Sequence, residues 1–264
     1  MQTFLITCKK TKYRLKKALE VLNNLSLKEI TIIDDYDIGS ENFNYEKDKL
    51  YISNKRLWRQ YTFNRTEYRK LTDEEISLFL KHRKCWQTIA SSKQNESFLI
   101  LEDDIALEDD KENISRKLSS IKDAIFDNNI KYDLIYIGES CQINLCMYRN
   151  LIKYLYKNKT LYRVLFGFFS DSYIINKYSA TKLIEDLKTI SSPIDEYLIY
   201  SSRILKIYEP RTPLLTQNKA YSSSIQVKKK SKNYKISLKD RVFWYLNMFE
   251  RVVRIILQSN KIFK

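Results

Sequence analysis

The pattern that most restricts the fold is a strict alternation of short apolar runs with helix-period segments. "TFLITCKK" reads as a strand that runs into a basic turn. "YRLKKALEVLNNL" then repeats apolar residues at helical spacing, Leu15, Ala18, Leu19 and Leu22, and "EITIIDDYD" is a second strand that ends in acids. Strand, helix, strand is the opening of a βαβ unit, which implies a sheet with parallel strands.

The alternation continues. "LTDEEISLFLKHRKCWQTIASS" predicts a helix, with Thr72 as N-cap and Glu75 three residues on, the reciprocal capping pattern. "FLILEDD" is a short buried strand, residues 111 to 129 read as helix, and "YDLIYIG" is another buried strand that stops at Gly138. "SYIINKYSATKLIEDL" reads as a strand followed by a helix from about Ser179. "PIDEYLIYSSR" opens a helix at Pro193, a favoured first-turn residue, and "LKIYEP" is expected to be the last strand. Residues 39 to 70 are polar and aromatic and carry no clear period. One α/β domain over residues 1–225 is the expectation, with a central, mostly parallel sheet.

In open α/β sheets ligands bind beyond the carboxyl ends of the strands. That rule selects the acids after "FLIL". Leu-Glu-Asp-Asp occurs twice, at Leu101 to Asp104 and at Leu107 to Asp110. In the first copy the period of two sends Glu102 and Asp104 to one side and Asp103 to the other. Carboxylates crowded at a strand end repel one another, and an arginine, a helix N-terminus or a divalent cation relieves that. Two readings of this copy stand, a metal site and a solvated strand end. The second copy has no strand before it. Asp109 or Asp110 can accept backbone N–H bonds at the start of the next helix, with Glu112 in its first turn.

Charge is unevenly placed. The chain carries +15, but residues 226–264 hold eleven Lys and Arg against two acids. The body is therefore only mildly basic, and nothing in it calls for nucleic acid. A nucleic-acid surface would also gain nothing from three carboxylates at a strand end, because phosphate repels them. There is no glycine-rich phosphate loop of the G-x-x-x-x-G-K kind. The four cysteines, Cys8, Cys85, Cys141 and Cys146, show no zinc spacing, and His82 is the only histidine, so free thiols are expected. No apolar stretch reaches the 18 residues of a spanning helix.

The tail has its own pattern. Val242, Leu246, Phe249, Val253 and Ile256 recur at three and four, flanked by Lys239, Arg241, Arg251 and Arg254. A basic amphipathic helix of this kind lies in an anionic membrane interface, or docks on its own domain or on a second subunit. The expected location is cytoplasmic, peripheral on the inner face of the cytoplasmic membrane.

Taken together, "FLITCKKTKYRLKK", "LTDEEISLFLKHRKCW", "FLILEDDI", "YDLIYIG", "SYIINKYSATKLI", "PIDEYLIY" and "IYEPRTPLLTQ" resemble, in order and spacing, the blocks of glycosyltransferase family 25. These are lipopolysaccharide galactosyltransferases and their collagen-modifying relatives. The second block is similar to L-T-x-G-E-x-G-C-x-x-S-H-x-x-x-W, and keeps Glu75, His82 and Trp86. Its departures include Glu74, Ser77 and Lys81.

The resemblance implies a GT-A-like nucleotide-sugar-binding sandwich and an inverting hexosyltransferase. The expected donor is UDP-galactose, and the expected acceptor is a lipooligosaccharide or related glycan. It implies Mn²⁺ or Mg²⁺ on Glu102 and Asp104, and Asp195 as the base that deprotonates the acceptor, or else as an acid at a helix start. Thr7, Lys10, Arg14, Glu75, His82, Asp103 and Gln217 are the implied donor-binding residues. For His82 a buried structural role stands beside that one, for Glu75 the capping role, and for Arg14 and Lys10 a solvated surface. The other reading of the whole chain is a non-catalytic relative acting as a basic membrane-associated binding protein.

Overall fold

The computed structural model describes residues 1–25, 27, 29–49, 58–62, 65–69, 71–93, 97–107, 110–127, 131–138, 161–163, 170–187, 189–190, 192–201, 204–210, 212–218, 221, 242 and 253. The tail from 226 onward lies outside these residues apart from Val242 and Val253, as do Asp109, Cys141 and Cys146.

The expected mixed α/β architecture is what the chain adopts. Strands β1 (Thr3–Ile6), β2 (Ile30–Ile33), β5 (Ser97–Glu102), β7 (Leu134–Tyr136), β8 (Leu161–Arg163), β9 (Ser172–Asn176) and β10 (Ile207–Pro210) form one sheet, ordered β2-β1-β5-β9-β7-β10-β8. β1 pairs parallel with β2 and β5, and β7 pairs parallel with β10. β9 runs antiparallel between β5 and β7, and β8 antiparallel at the edge. Five of the seven strands thus point one way.

The strand period divides the core into two layers. Phe4, Ile6, Phe98, Ile100, Tyr173 and Ile175 face one side. Helices α3 (Asp73–Ser91), α5 (Lys177–Asp186) and α6 (Ile194–Ser201) cover them with Ile76, Phe79, Trp86, Ala180, Leu183 and Leu198. Leu5, Leu99, Leu101 and Ile174 face the other side, under α1 (Lys12–Asn24) and α4 (Lys111–Asp127), which contribute Ala18, Leu22, Ile114 and Ile121.

α3 starts where its sequence says. The Thr72 hydroxyl accepts from the Glu75 N–H, and the Glu75 carboxylate accepts from the Thr72 N–H at 2.9 Å. Two orphan donors at the helix start are satisfied at once.

Two expectations need correction, and a segment without a clear period is now defined. α5 begins at Lys177 rather than near Ser179, because the Asn176 side chain caps it by accepting the Ser179 N–H at 2.9 Å. The polar 39–70 segment contains helix α2 (Glu41–Lys49) and a hairpin of β3 (Trp58–Thr62) and β4 (Arg65–Arg69). "LKIYEP" is not the last strand. β11 (Leu215–Gln217) follows it and pairs antiparallel with β6 (Ile105–Leu107), the segment just after the first Leu-Glu-Asp-Asp. Among the described residues, no helix is long and apolar enough to cross a membrane. Cys8 and Cys85 are free thiols.

Candidate active site

The site sits where β5 ends. Ile100 and Leu101 face opposite core layers, and the two residues that follow inherit that split. Glu102 goes to the α3 side. Its Oε1 accepts from the Ser170 hydroxyl at 2.7 Å and lies 3.4 Å from His82 Nε2. Its backbone N–H donates to the Asp171 carbonyl at 2.8 Å. Asp103 goes to the α1 side. Its Oδ2 accepts from the Thr7 hydroxyl at 2.6 Å and from the Thr11 hydroxyl at 2.8 Å, and the Arg14 guanidinium lies 3.9 Å from Oδ1. Asp103 therefore ties the strand end to the turn after β1.

Asp104 completes the turn into β6. Its backbone carbonyl accepts from the Asn218 N–H at 2.7 Å, which fixes the chain around it. Its side chain is not matched in the same way. Oδ1 is shut off from solvent and has no hydrogen-bond partner among the described residues. A buried acceptor left in this state costs free energy until something positive or a donor reaches it.

Two further acids converge. Asp195 is the second residue of α6, held there after Pro193, and its Oδ1 is likewise buried without a partner among the described residues. Asp171, just before β9, is 2 % exposed and accepts from the Ser172 hydroxyl at 2.8 Å. Room for Asp171 and Ser172 comes from Gly138, where a Cβ would collide with the Ser172 hydroxyl and the Asp171 carboxylate.

The electrostatics follow from this crowding. Burial is the largest cause in every case. It raises Glu102, with Asp103 adding repulsion, and Asp104, with Glu102 and Asp103 adding repulsion and Arg14 opposing. It raises Asp171, with Glu102, Asp104 and Asp195 adding to the effect. It pushes Asp195 up to about 7, reinforced by Glu102 and opposed by Ser170 and His82. Glu196 is likewise pushed up to about 7 by burial and by Asp195. His82 is fully buried, and burial holds it down at about 3, so it supplies no positive charge at neutral pH.

The remaining candidates are placed as follows. Arg14 is buried beside Asp103 and stacks its guanidinium 5.0 Å from the Tyr221 ring, itself edge-on to Tyr13. Thr7 is buried against Asp103. Gln217, exposed, pairs with Ile105 and so stands beside the Asp104 turn. Lys10 is exposed on the single helical turn Lys9–Thr11. Glu75 is engaged at the start of α3. The structure thus gathers Glu102, Asp104, His82 and Asp195 on one side, Asp103, Thr7 and Arg14 on the other, with Gln217 alongside.

Asp171 was missed by sequence reasoning. The one available signal was an acid at the entry to a strand, in "SDSYIIN", and nothing local says which strand it will lie beside.

Lys81, a departure from the family block, is also built in. Its ammonium donates to the Thr7 carbonyl and to Asp37 Oδ1, both at 2.6 Å. It straps the loop after β2 to the turn that carries the Asp103 contacts.

The pattern of glycosyltransferase family 25 (LPS biosynthesis protein) matches residues 1–198. The chain belongs to that family. No curated protein matches it. Among solved structures, the galactosyltransferase LgtC in complex with donor and acceptor sugar analogs is 12% identical with a TM-score of 0.42, over 97% of this chain and 96% of that one. The glycosyltransferase GlyE of Streptococcus pneumoniae TIGR4 is 11% identical with a TM-score of 0.40, over 98% of this chain and 63% of that one.

Proposed function

We propose that this family 25 glycosyltransferase is an inverting, divalent-metal-dependent hexosyltransferase. Its donor is UDP-galactose and its acceptor a lipooligosaccharide or related lipid-linked glycan. One observation supports the reading above the others. Asp104, Glu102, Asp171 and Asp195 crowd one end of the sheet, and Asp104 presents a buried oxygen with no partner among the described residues.

Among the described residues no group of three or more His, Cys, Asp or Glu side chains is arranged to hold a metal ion by itself. The donor set still fits Mn²⁺ or Mg²⁺, which commonly take one or two carboxylates and fill the rest of their shell with substrate phosphates and water. Asp104 and Glu102 are the residues that would hold it. Asp104 has the orphaned oxygen, and among the described residues the hydrogen bonds to the Glu102 side chain fall on Oε1. When bound, such an ion neutralises charge on the departing diphosphate, a contribution of several kcal/mol.

The protein's own groups do the rest. Asp103, held by Thr7, Thr11 and Arg14, fixes the turn after β1, where Lys10 and Arg14 bring positive charge toward the nucleotide. Asp195 acts as base. Its carboxylate takes the proton from the acceptor hydroxyl while that oxygen bonds to the anomeric carbon, and the bond to UDP breaks on the opposite face. Burial raises Asp195 to about 7, which suits a group that must accept a proton near neutral pH. Residues 226–264 form a separate basic tail that brings the domain to an anionic membrane surface on the cytoplasmic side, where lipid-linked acceptors lie.

The test is UDP release from a panel of UDP-sugars, with Mn²⁺ and with EDTA, for the wild type, Asp104→Ala and Asp110→Ala. The expected result is turnover of one sugar, abolished by EDTA and by Asp104→Ala alone. If no nucleotide and no cation binds in calorimetry either, the enzyme reading fails and the tail becomes the functional part.

A further inference from the structure

His82 is the only histidine in the chain, and it has no contact with solvent. Both its ring nitrogens are engaged from within. Nδ1 lies 2.9 Å from the Tyr173 hydroxyl, and Nε2 faces Glu102 Oε1. The Tyr173 hydroxyl has a second neighbour, the indole Nε1 of Trp86, at 3.0 Å.

The direction of these bonds is fixed by what each group can do. An indole N–H only donates, and a phenol has one proton to give. The Tyr173 oxygen must therefore accept from Trp86, and its own proton is free to go to His82 Nδ1, because a carboxylate facing Nε2 can only accept and takes the imidazole proton there. A nitrogen that accepts carries no proton. The imidazole proton then sits on Nε2, pointing at Glu102. The Ser170 hydroxyl donates to the same oxygen.

We propose that Trp86 and Tyr173 are positioning residues that lock His82 as its Nε2–H tautomer, so that His82 and Ser170 together clamp one oxygen of Glu102 and present the other to the ligand. The inference rests on the proposed role of Glu102 at the diphosphate end of the site. Its chemical sense lies in the charge. A protonated imidazole would neutralise Glu102, whereas a neutral N–H donor orients the carboxylate and leaves its full charge for a cation. Groups that orient a ligating carboxylate in this way typically change metal affinity or activity by about 10–100-fold when removed.

A chain with one histidine makes the test direct. Long-range ¹H–¹⁵N correlation on ¹⁵N-histidine-labelled protein, at neutral pH without metal, reads the protonation of both nitrogens of a single ring. The expected pattern is a bare Nδ1 and a protonated Nε2. An Nδ1–H tautomer, or an imidazolium, overturns the proposal without any variant. Tyr173→Phe keeps the ring and deletes the hydroxyl. It is expected to release the tautomer and to raise the apparent KM for Mn²⁺, and the Kd by calorimetry, about tenfold, with kcat changed far less. Trp86→Phe serves if that variant does not fold, with the same expectation. If either folds and leaves tautomer and Mn²⁺ affinity unchanged, the positioning role is refuted. Asp104→Ala separates the two ideas. If it abolishes Mn²⁺ binding while Tyr173→Phe has no effect, the metal reading stands and the positioning inference falls. If Asp104→Ala leaves Mn²⁺ binding intact, the metal reading itself has failed.

Discussion

The same four letters end in two different environments. In the first Leu-Glu-Asp-Asp, the strand before it buries the acids: Asp103 is locked by two hydroxyls and Asp104 keeps an oxygen that nothing described satisfies. In the second, the last acid, Asp110, is exposed and does a helix's ordinary work. Its carboxylate accepts from the Asn113 N–H at 2.9 Å, and its carbonyl accepts from the Ile114 N–H at 3.1 Å. An acid that finds helix N–H groups is a local solution to a local need. A set of acids that burial raises together is unstable by itself and points to something outside the chain.

The sharpest way to break this comparison is Asp104→Asn. The shape and the backbone bond to Asn218 remain, while one negative charge leaves the crowd. Transfer is expected to fall by about 10³-fold or more, in line with loss of charge stabilisation at a diphosphate. The melting temperature of the metal-free protein is expected to rise, because repulsion is relieved. A variant that keeps its activity would make the first copy no more functional than the second.

Asp195→Asn comes next. Loss of a general base costs about 10²–10⁴ in rate. The expected result is that range in kcat, with donor KM nearly unchanged. A drop of less than fivefold would return Asp195 to the status of an acid at a helix start, the same status that Asp110 has.

The third prediction concerns pH. Asp195 and Glu196 are pushed up to about 7 in the fold, and Glu102, Asp104 and Asp171 are also raised by burial. Between the ordinary carboxylate range near 4 and about 7 these five carboxylates hold more protons in the native state than in the unfolded chain, and they outnumber the one buried His82, which holds fewer. Stability must then fall as pH rises through that window. The neighbouring groups titrate as a set rather than singly. Thermal melts in EDTA are expected to show a declining midpoint from pH 5 to pH 7.5, and Mn²⁺ is expected to flatten that decline most at the high end. A midpoint that climbs with pH in EDTA would show that these carboxylates are satisfied within the fold, as Asp110 is.

Much of this was legible because it is local. Thr72 and Glu75 cap α3 through bonds that span three residues, and the period of two at the end of β5 correctly sends Glu102 and Asp103 to opposite faces. The site's other half was not legible, because its causes are distant. β9 enters antiparallel between β5 and β7, and only that insertion sets Asp171 against Glu102. β11 returns to β6 from about a hundred residues away and brings Gln217 beside Asp104. Likewise, the sequence shows Lys81 only as a departure from a family block. The fold shows it buried between Thr7 and Asp37, a charge that burial tolerates because both partners are in place.

Asp110→Ala is the smallest effect and the control for all the others. Removing an N-cap acid costs about 1 kcal/mol, within a usual range of about 0.5–2. The loss here should sit near the middle, since the Asp110 side chain also accepts from the Asn113 amide at 2.7 Å and the site is exposed. α4 carries Ile114 and Ile121 into the core layer opposite the α3 side, so fraying of its first turn weakens packing there and leaves the Glu102 face untouched. Urea unfolding is expected to show a midpoint shifted down with an unchanged slope, and UDP release is expected to match the wild type within a factor of two. A large loss of activity with little loss of stability would exchange the roles assigned to the two copies, because an exposed acid with two local partners would then be doing chemistry that the buried one does not.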